Sequence, residues 1–378
     1  MVIAVNARTL RSVPCDGIGW FTYEVVSRIV KSHPEHRFIL IGDRPFRTPP
    51  IVAANAEYIT VRPRTVHPAL WYLWHEFRLP PVLKQIGADI FLAPDGIIPL
   101  RTDVPCLPVI HDLNHEHRPE DIPIIARNYY RYFFRRFAKK AVRITTVSHF
   151  SAGDIAKEYG VDPGKIDVVP NGVAEIFSPP EGDEAELTRK EYTAGRPYFL
   201  FVSNFSPRKN IGTLIKAYDI FRRESGGEHV LLLAGKRLYL TGEIDRMLEA
   251  SPYSGDIMFT GSVSRDVLRR LYGGAEALTF VPWFEGFGIP VVEAMRCGTP
   301  CILSDTSSLP EVSGGAALCA GPAGAGAIAE AMARLVNDGA LRRRLSQQGI
   351  INSQRYTWEK AAEEMWKSIV KAIETRPC

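Results

Sequence analysis

The stretch EALTFVPWFEGFGIPVVEAMRCG, residues 276–298, decides how the chain reads. EALTFVPW is a short apolar run with the length and β-branched content of a buried strand. VVEAMRCG is a helical pattern ending at Gly298, and Pro290 suits the first position of that helix, where its missing N–H is not needed. A loop with Gly286 and Gly288 lies between them. Helix starts bind anions because their first N–H groups lack partners and carry partial positive charge. Glycine lets the ligand approach the backbone closely. Two carboxylates bracket the loop: Glu285 before it, and Glu293 in the first helical turn. Carboxylates do not bind phosphate; they accept hydrogen bonds from hydroxyls. The pair therefore points to a phosphate flanked by polyols, such as a nucleotide sugar. The plain alternative is a helix-start acid and a solvated loop acid.

At 378 residues the chain exceeds one ordinary domain, which predicts two. A composition of 46% hydrophobic and 23% charged residues is that of a soluble globular protein. No run of eighteen apolar residues occurs, and MVIAVNARTL at the N-terminus lacks a basic region and a cleavage site. Neither a membrane span nor a signal peptide is expected, so the chain reads as cytoplasmic. Cys15, Cys106, Cys297, Cys301, Cys319 and Cys378 form no C-x-x-C pair, and reduced thiols are expected rather than disulfides or zinc ligands.

Outward from the central stretch, short apolar runs alternate with helical patterns. VIAVN, RFILIG, EYITV, ADIFLAP, CLPVIHD, RITTVS and IDVVP read as strands in the first half, with helices at 18–32, 71–85, 122–141 and 150–159. YFLFVSN, HVLLLAG, DIMFTG, EALTFVP, PCILSD and AALCAG repeat the scheme. Such alternation means parallel sheets with crossover helices, an α/β fold of two doubly wound domains facing a central cleft. The division expected is 1–175, 176–355 and a final helical segment 356–378, with FSPPEGDEAE (177–186) as a linker. Ligands of such sheets bind at the carboxyl ends of strands, which puts the site in the cleft.

Other segments carry chemistry. In SNFSPRKN (203–210), Arg208 and Lys209 stand together where a helix starts, unfavourable for the helix unless an anion compensates them. LAGKR (233–237) puts Gly235 and Lys236 at a strand end. CDGIGWFTYEV (15–25) has Gly17 and Gly19 before a helix, but Thr22 replaces the third glycine of a dinucleotide loop. VIHDLNHEH (109–117) holds His111, His115 and His117. A metal cluster is conceivable there, yet His111 at a strand's carboxyl end is the better-placed residue. RNYYRYFFRRFAKKAVR (127–143) holds seven cations and no acids, with Tyr130, Phe133, Phe134, Phe137 and Ala141 at helical spacing. It suits an anionic membrane surface, or equally a crossover helix whose aromatics pack on the sheet. WYLWHEF (71–77) is a second aromatic cluster. No nucleic-acid-binding motif occurs, and the net charge is only +4.

In combination these residues resemble the retaining nucleotide-sugar glycosyltransferases of the GT-B fold, family 4, in particular bacterial polysaccharide and lipopolysaccharide mannosyltransferases. The resemblance covers nearly the whole chain. It rests on the E-x7-E spacing of Glu285 and Glu293, and on SPRKN, VSHFSAGDI, VVPNGV, TGSV and SLPEV in the expected order. It implies two Rossmann-like domains, a donor site in the second, no metal or other cofactor, and a final helix near 358–373 that crosses back to the first domain. By the resemblance, Arg208 and Lys209 hold the diphosphate, Glu293 the ribose hydroxyls, and Glu285 lies beside the transferred sugar. The backbone of Gly286, Phe287, Gly288 and Ile289 contacts sugar and phosphate, Val263 the base, and Gly17 and Gly19 form a glycine loop on the donor. His111 lies near the anomeric carbon, so His111, Glu285, Arg208 and Lys209 are the expected catalytic set. Ser203-Asn204 stands where many members have Gly-Arg, which leaves Arg208 as the guanidinium assigned to the diphosphate.

The expected reaction is transfer of a hexose, with GDP-mannose as first donor and UDP sugars as the alternative, to a glycan or lipid-linked acceptor at the inner face of the cytoplasmic membrane. A nucleotide-sugar 2-epimerase and a non-catalytic scaffold subunit share this fold and stay open as alternatives.

Overall fold

Each apolar run named above becomes a strand in the computed structural model, which describes residues 1–11, 17–46, 48–236 and 242–375. In chain order they are β1 (Val2–Asn6), β2 (Arg37–Gly42), β3 (Ala56–Thr60), β4 (Ile90–Ala93), β5 (Cys106–Pro108), β6 (Ile144–Thr146) and β7 (Ile166–Val168), then β8 (Tyr198–Val202), β9 (Val230–Ala234), β10 (Ile257–Gly261), β11 (Ala277–Phe280), β12 (Cys301–Ser304) and β13 (Leu318–Ala320). Contacts divide the chain into two units, Met1–Gly172 with Trp358–Cys378, and Val173–Thr357. Segment 177–186, read as a linker, belongs to the second unit: Phe177 is buried with its ring against Tyr272.

The first unit holds a parallel sheet of order β3-β2-β1-β4-β5. The parallel pair β6-β7 joins it through a bridge from Val109 to Thr145. Helices cover such sheets, so central strands such as IFLA in β4 are buried throughout and show no alternation. The helical pattern at 71–85 is interrupted. Pro68–Leu73 and Leu79–Gln85 are α-helical, and a π turn, Trp74–Arg78, lies between them. The extra residue of a π turn re-aims side chains. Here it turns Trp74, His75 and Glu76 inward, and the Trp74 indole donates to the Val61 carbonyl at 2.8 Å.

The last helix, Trp358–Glu374, packs on Gly17–Ser32 of the first unit. Trp358 meets the Phe21 ring edge-on, Arg28 pairs with Glu359 at 2.7 Å, and Ser368 donates to Asp167 at 2.6 Å. Among the described residues, no helix is long and apolar enough to cross a membrane. Cys106, Cys297, Cys301 and Cys319 are free thiols, whereas Cys15, Arg237 and Cys378 lie outside the described residues.

The second unit repeats the architecture in a six-stranded parallel sheet, β10-β9-β8-β11-β12-β13. At the carboxyl end of β9, Gly235 has φ of 145°, and a Cβ there would lie 1.7 Å from the Ser203 carbonyl oxygen. Only glycine lets the loops after β8 and β9 lie this close. Gly235→Ala should therefore lower stability by on the order of 2–4 kcal/mol. Gly153→Ala, in helix His149–Tyr159 with open space around its Cβ position, should change it by no more than about 1 kcal/mol, on the stabilising side. Urea midpoints of the two variants check the contrast, and equal midpoints would remove the constraint assigned to Gly235.

Candidate active site

The loop after β11 ends on the helix Ile289–Arg296, capped by Gly288 at φ of 94° with no side-chain cap. A Cβ on Gly288 would press to 2.6 Å from Leu309, so the position is closed to other residues twice over, by conformation and by space. Pro290 is the second helical residue rather than the first, and Glu293 falls one turn in, not in the first turn as the spacing suggests. Gly286 and Phe287 are buried, and Ile289 is half-buried. The helix start is thus uncapped by the protein and approached by glycine backbone, as an anion site requires.

Arg208 and Lys209 close the short 3-10 turn Pro207–Lys209 after β8, just ahead of helix Ile211–Ser225. Both reach Glu285. The Arg208 guanidinium donates to Glu285 Oε2 at 3.1 Å and to the Phe284 carbonyl at 3.3 Å, and the buried Lys209 ammonium bonds the same carboxylate oxygen. Lys209 also lies 5.0 Å from the centroid of Phe280. The loops themselves are tied: Trp283 N–H donates to the Arg208 carbonyl at 2.9 Å, and Asn210 donates to the carbonyls of Val281 and Pro322. From the loop after β12, the Ser307 hydroxyl accepts the Glu285 N–H at 3.1 Å and Ser308 donates to the Glu285 carbonyl at 2.9 Å. Burial pushes the Glu285 carboxyl up, but Lys209 and Arg208 more than reverse this and hold its pKa below the ordinary value. The anion that the paired cations call for is therefore supplied in part by the protein itself.

Glu293 sits differently. Its carboxylate accepts from the Tyr272 hydroxyl at 2.9 Å, and Tyr272 is fully buried. Burial raises the Glu293 pKa to about 7, against the lowering influence of Tyr272 and Arg265. The tyrosine stays a donor because burial, then Glu293, pushes its own pKa well up. Val263 is half-buried in the turn ahead of helix Arg265–Gly274. The sequence assigns no role to Tyr272, Ser307, Ser308 or Asn210. Their hydrogen bonds span long stretches of chain and leave no periodic mark, although Asn210 ends the SPRKN stretch and Ser308 opens SLPEV.

The remaining site residues lie in the first unit. His111 follows β5; its Nε2 is 2.9 Å from the Pro94 carbonyl and its ring meets Phe21 edge-on at 5.1 Å. Gly17 and Gly19 are not in a loop. The helix already starts at Gly17, with Gly19 buried in its first turn, and 12–16 lie outside the described residues. The histidines of 109–117 do not converge: His115 meets the Tyr159 hydroxyl at 2.8 Å and His117 pairs with Asp154 at 2.8 Å. Among the described residues, the one cluster with metal-ligand spacing is His33, Glu35 and His36, elsewhere in this unit.

Residues 15–175 match the family described as Glycosyltransferase Family 4, and residues 184–351 the family described as Glycosyl transferases group 1. The chain is a family 4 glycosyltransferase. It is 27% identical over 293 residues to the O-antigen chain mannosyltransferase B of Escherichia coli, covering 77% of each chain. It is 29% identical over 276 residues to the O-antigen chain mannosyltransferase RfbU of Salmonella typhimurium, covering 73% of this chain and 72% of the relative. The structure of Anabaena Alr3699/HepE in complex with UDP-glucose superposes with a TM-score of 0.74 at 17% identity, over 98% of this chain and 99% of that one, and shows the shared GT-B fold.

The Glu293 pKa gives this glycosyltransferase a testable stability profile. A carboxyl whose folded pKa of about 7 exceeds its ordinary 4.5 contributes fully below the lower value and loses that contribution as pH rises through the higher one. The loss is on the order of 1–3 kcal/mol, part of the side chain being solvent-accessible. Glu293→Gln cannot ionise. Its melting temperature relative to wild type should therefore be more favourable at pH 8 than at pH 5, and a difference independent of pH would contradict the assignment.

Proposed function

We propose that the protein is a retaining mannosyltransferase that moves mannose from GDP-mannose to an acceptor hydroxyl of a cell-surface glycan or glycolipid, at the inner face of the cytoplasmic membrane. The observation that carries the proposal is the Arg208–Lys209–Glu285 cluster beside an uncapped, glycine-approached helix start. A diphosphate matches the two cations and the helix start; Glu285, displaced from them, accepts from sugar hydroxyls. Glu293, oriented by Tyr272, accepts from the ribose. The mannosyltransferase names of both relatives support the sugar, and the Anabaena fold neighbour holds a ligand of the same chemical class.

In this mechanism the bond from the anomeric carbon to the diphosphate oxygen breaks while the acceptor oxygen attacks on the same face. The departing phosphate oxygen takes the acceptor proton, so configuration is retained. Arg208, Lys209 and the helix start stabilise the charge that develops on the leaving group, preorganised electrostatics of the kind that contributes most to such catalysis. No metal is assigned a step; the two cations neutralise the diphosphate. The relatives' names support O-antigen-type acceptors.

Mass spectrometry after incubation with GDP-mannose, UDP-glucose and an oligosaccharide acceptor tests the reading. Mannosyl transfer, or slow release of GDP without acceptor, is expected; an epimerised nucleotide sugar or no change would refute it. Lys209→Ala should weaken GDP binding in calorimetry by about 1.5–3 kcal/mol, the worth of one charge-assisted contact. Glu285→Gln should mainly lower kcat, and Glu293→Gln should mainly raise the donor KM. Identical effects of the two on both constants would undo this division of roles.

A further inference from the structure

The basic helix Ile124–Lys140 is not amphipathic in the way its sequence suggests. Phe134, Phe137 and Ala141 are buried in the core, and Tyr130 and Phe133 pack partly against it. The apolar stripe is thus already covered. The outward face carries a different set: Ile125, Tyr132, Arg136 and Lys139, spaced at i, i+7, i+11 and i+14, all exposed, with Ile124 beside them. Next to this helix, the π turn that buries Trp74 leaves Tyr72, Leu73 and Phe77 outside. These two segments hold every exposed large aromatic side chain among the described residues, and with Leu73, Ile124 and Ile125 they hold half of the exposed large hydrophobics.

The two sets form one surface. Tyr72 lies 5.6 Å from Phe133 and 5.8 Å from Phe77, and Phe133 lies 4.8 Å from Tyr132, ring centroid to ring centroid. A cation closes each end of this aromatic band: Arg101 stands over Phe77 at 4.4 Å and Arg136 over Tyr132 at 3.6 Å. Between them opens a groove of about 280 Å³, lined by Tyr72, Tyr132, Phe133, Leu100 and both arginines. Its one carboxylate, Glu76, is buried and accepts the Leu100 N–H at 2.9 Å. Among the described residues, no carboxylate forms an ion pair within 4 Å with Arg101, Arg135, Arg136, Lys139 or Lys140; Arg135 and Arg136 donate to the backbone carbonyls of Glu158 and Tyr132, and the buried Glu76 acts on Arg101 and Lys140 only from further off.

We propose that this surface docks on an anionic phospholipid bilayer, with lipid phosphate taken between Arg101 and Arg136 and Tyr72, Phe77 and Tyr132 lying at the headgroup level. Charge complementarity selects the occupant: unpaired cations attract the anionic leaflet, and rings with a polar tip prefer the boundary between headgroups and chains. Exposed aromatics ringed by unpaired cations are the composition of an interfacial surface rather than of a core or a solvated face. The inference deepens the membrane location in the proposed function. It is tested without donor or acceptor, so its failure would leave the transfer reaction standing, and failure of transfer would leave it standing.

Flotation of the full chain with phosphatidylcholine vesicles, with and without phosphatidylglycerol, at low and high salt, is the test. Binding to phosphatidylglycerol vesicles at low salt, weakened by salt, is expected. Arg101→Glu with Arg136→Glu should weaken it at least about 25-fold, roughly fivefold for each cation, and Tyr132→Ser should weaken it with melting temperature unchanged. Lys216→Glu with Arg223→Glu, the same change in net charge on the exposed face of helix Ile211–Ser225, should leave binding as it was. No binding to anionic vesicles, or equal losses in the two double variants, would overturn the proposal. So would self-association abolished by Tyr132→Ser in a protein that ignores vesicles, which would assign the surface to a second copy.

Discussion

In a parallel sheet every strand delivers its carboxyl end to the same edge, and the candidate donor site depends on that constraint. Arg208 and Lys209 follow β8, Gly235 follows β9, Glu285 follows β11 and Ser307 follows β12. Residues a hundred positions apart reach one edge because their strands share a direction. Once there, they need a reason to stay. The loops after β8 and β11 are joined by Trp283 to Arg208 and by Asn210 to Val281, and the carboxylate of Glu285 closes the junction on both cations. Three charges are brought out of water together and remain tolerable only as a group.

The two glutamates show how one spacing conceals two environments. Glu285 is held ionised by cations, while Glu293 is pushed toward neutrality by burial and steadied by a tyrosine. One answers to charge and the other to hydrogen-bond direction, as suits a ligand with a diphosphate at its centre and hydroxyls at its ends.

Much of this was legible in the sequence. All thirteen strands were, because a buried parallel strand is an uninterrupted apolar run between turn residues and needs no tertiary information to be seen. The strand–loop–helix unit around Glu285 was legible for the same reason, and so was the pairing of Arg208 with Lys209. Elements set by side-chain bonds across the fold were not. Tyr272 sits in an unremarkable helix, and nothing in RLYGG shows that its hydroxyl ends on Glu293. The π turn at 74–78 reads as plain helix, since one inserted residue barely disturbs a short apolar pattern. Helical spacing placed the aromatics of 127–143 on one face; it could not say that the core already covers that face.

The return of Trp358–Glu374 to the first unit means that the second unit is topologically an insertion within the first. The chain leaves the first unit at Gly172 and comes back at Trp358. During synthesis, the second unit has its whole sequence before the first has its last helix. The first unit, though begun earlier, keeps the Phe21 and Arg28 face of helix Gly17–Ser32 uncovered until Trp358–Glu374 has been made. Domains that fold as they emerge commonly do so from the N-terminus onward. Here the order of completion is reversed, and damage to Trp358–Glu374 falls on the unit that was started first.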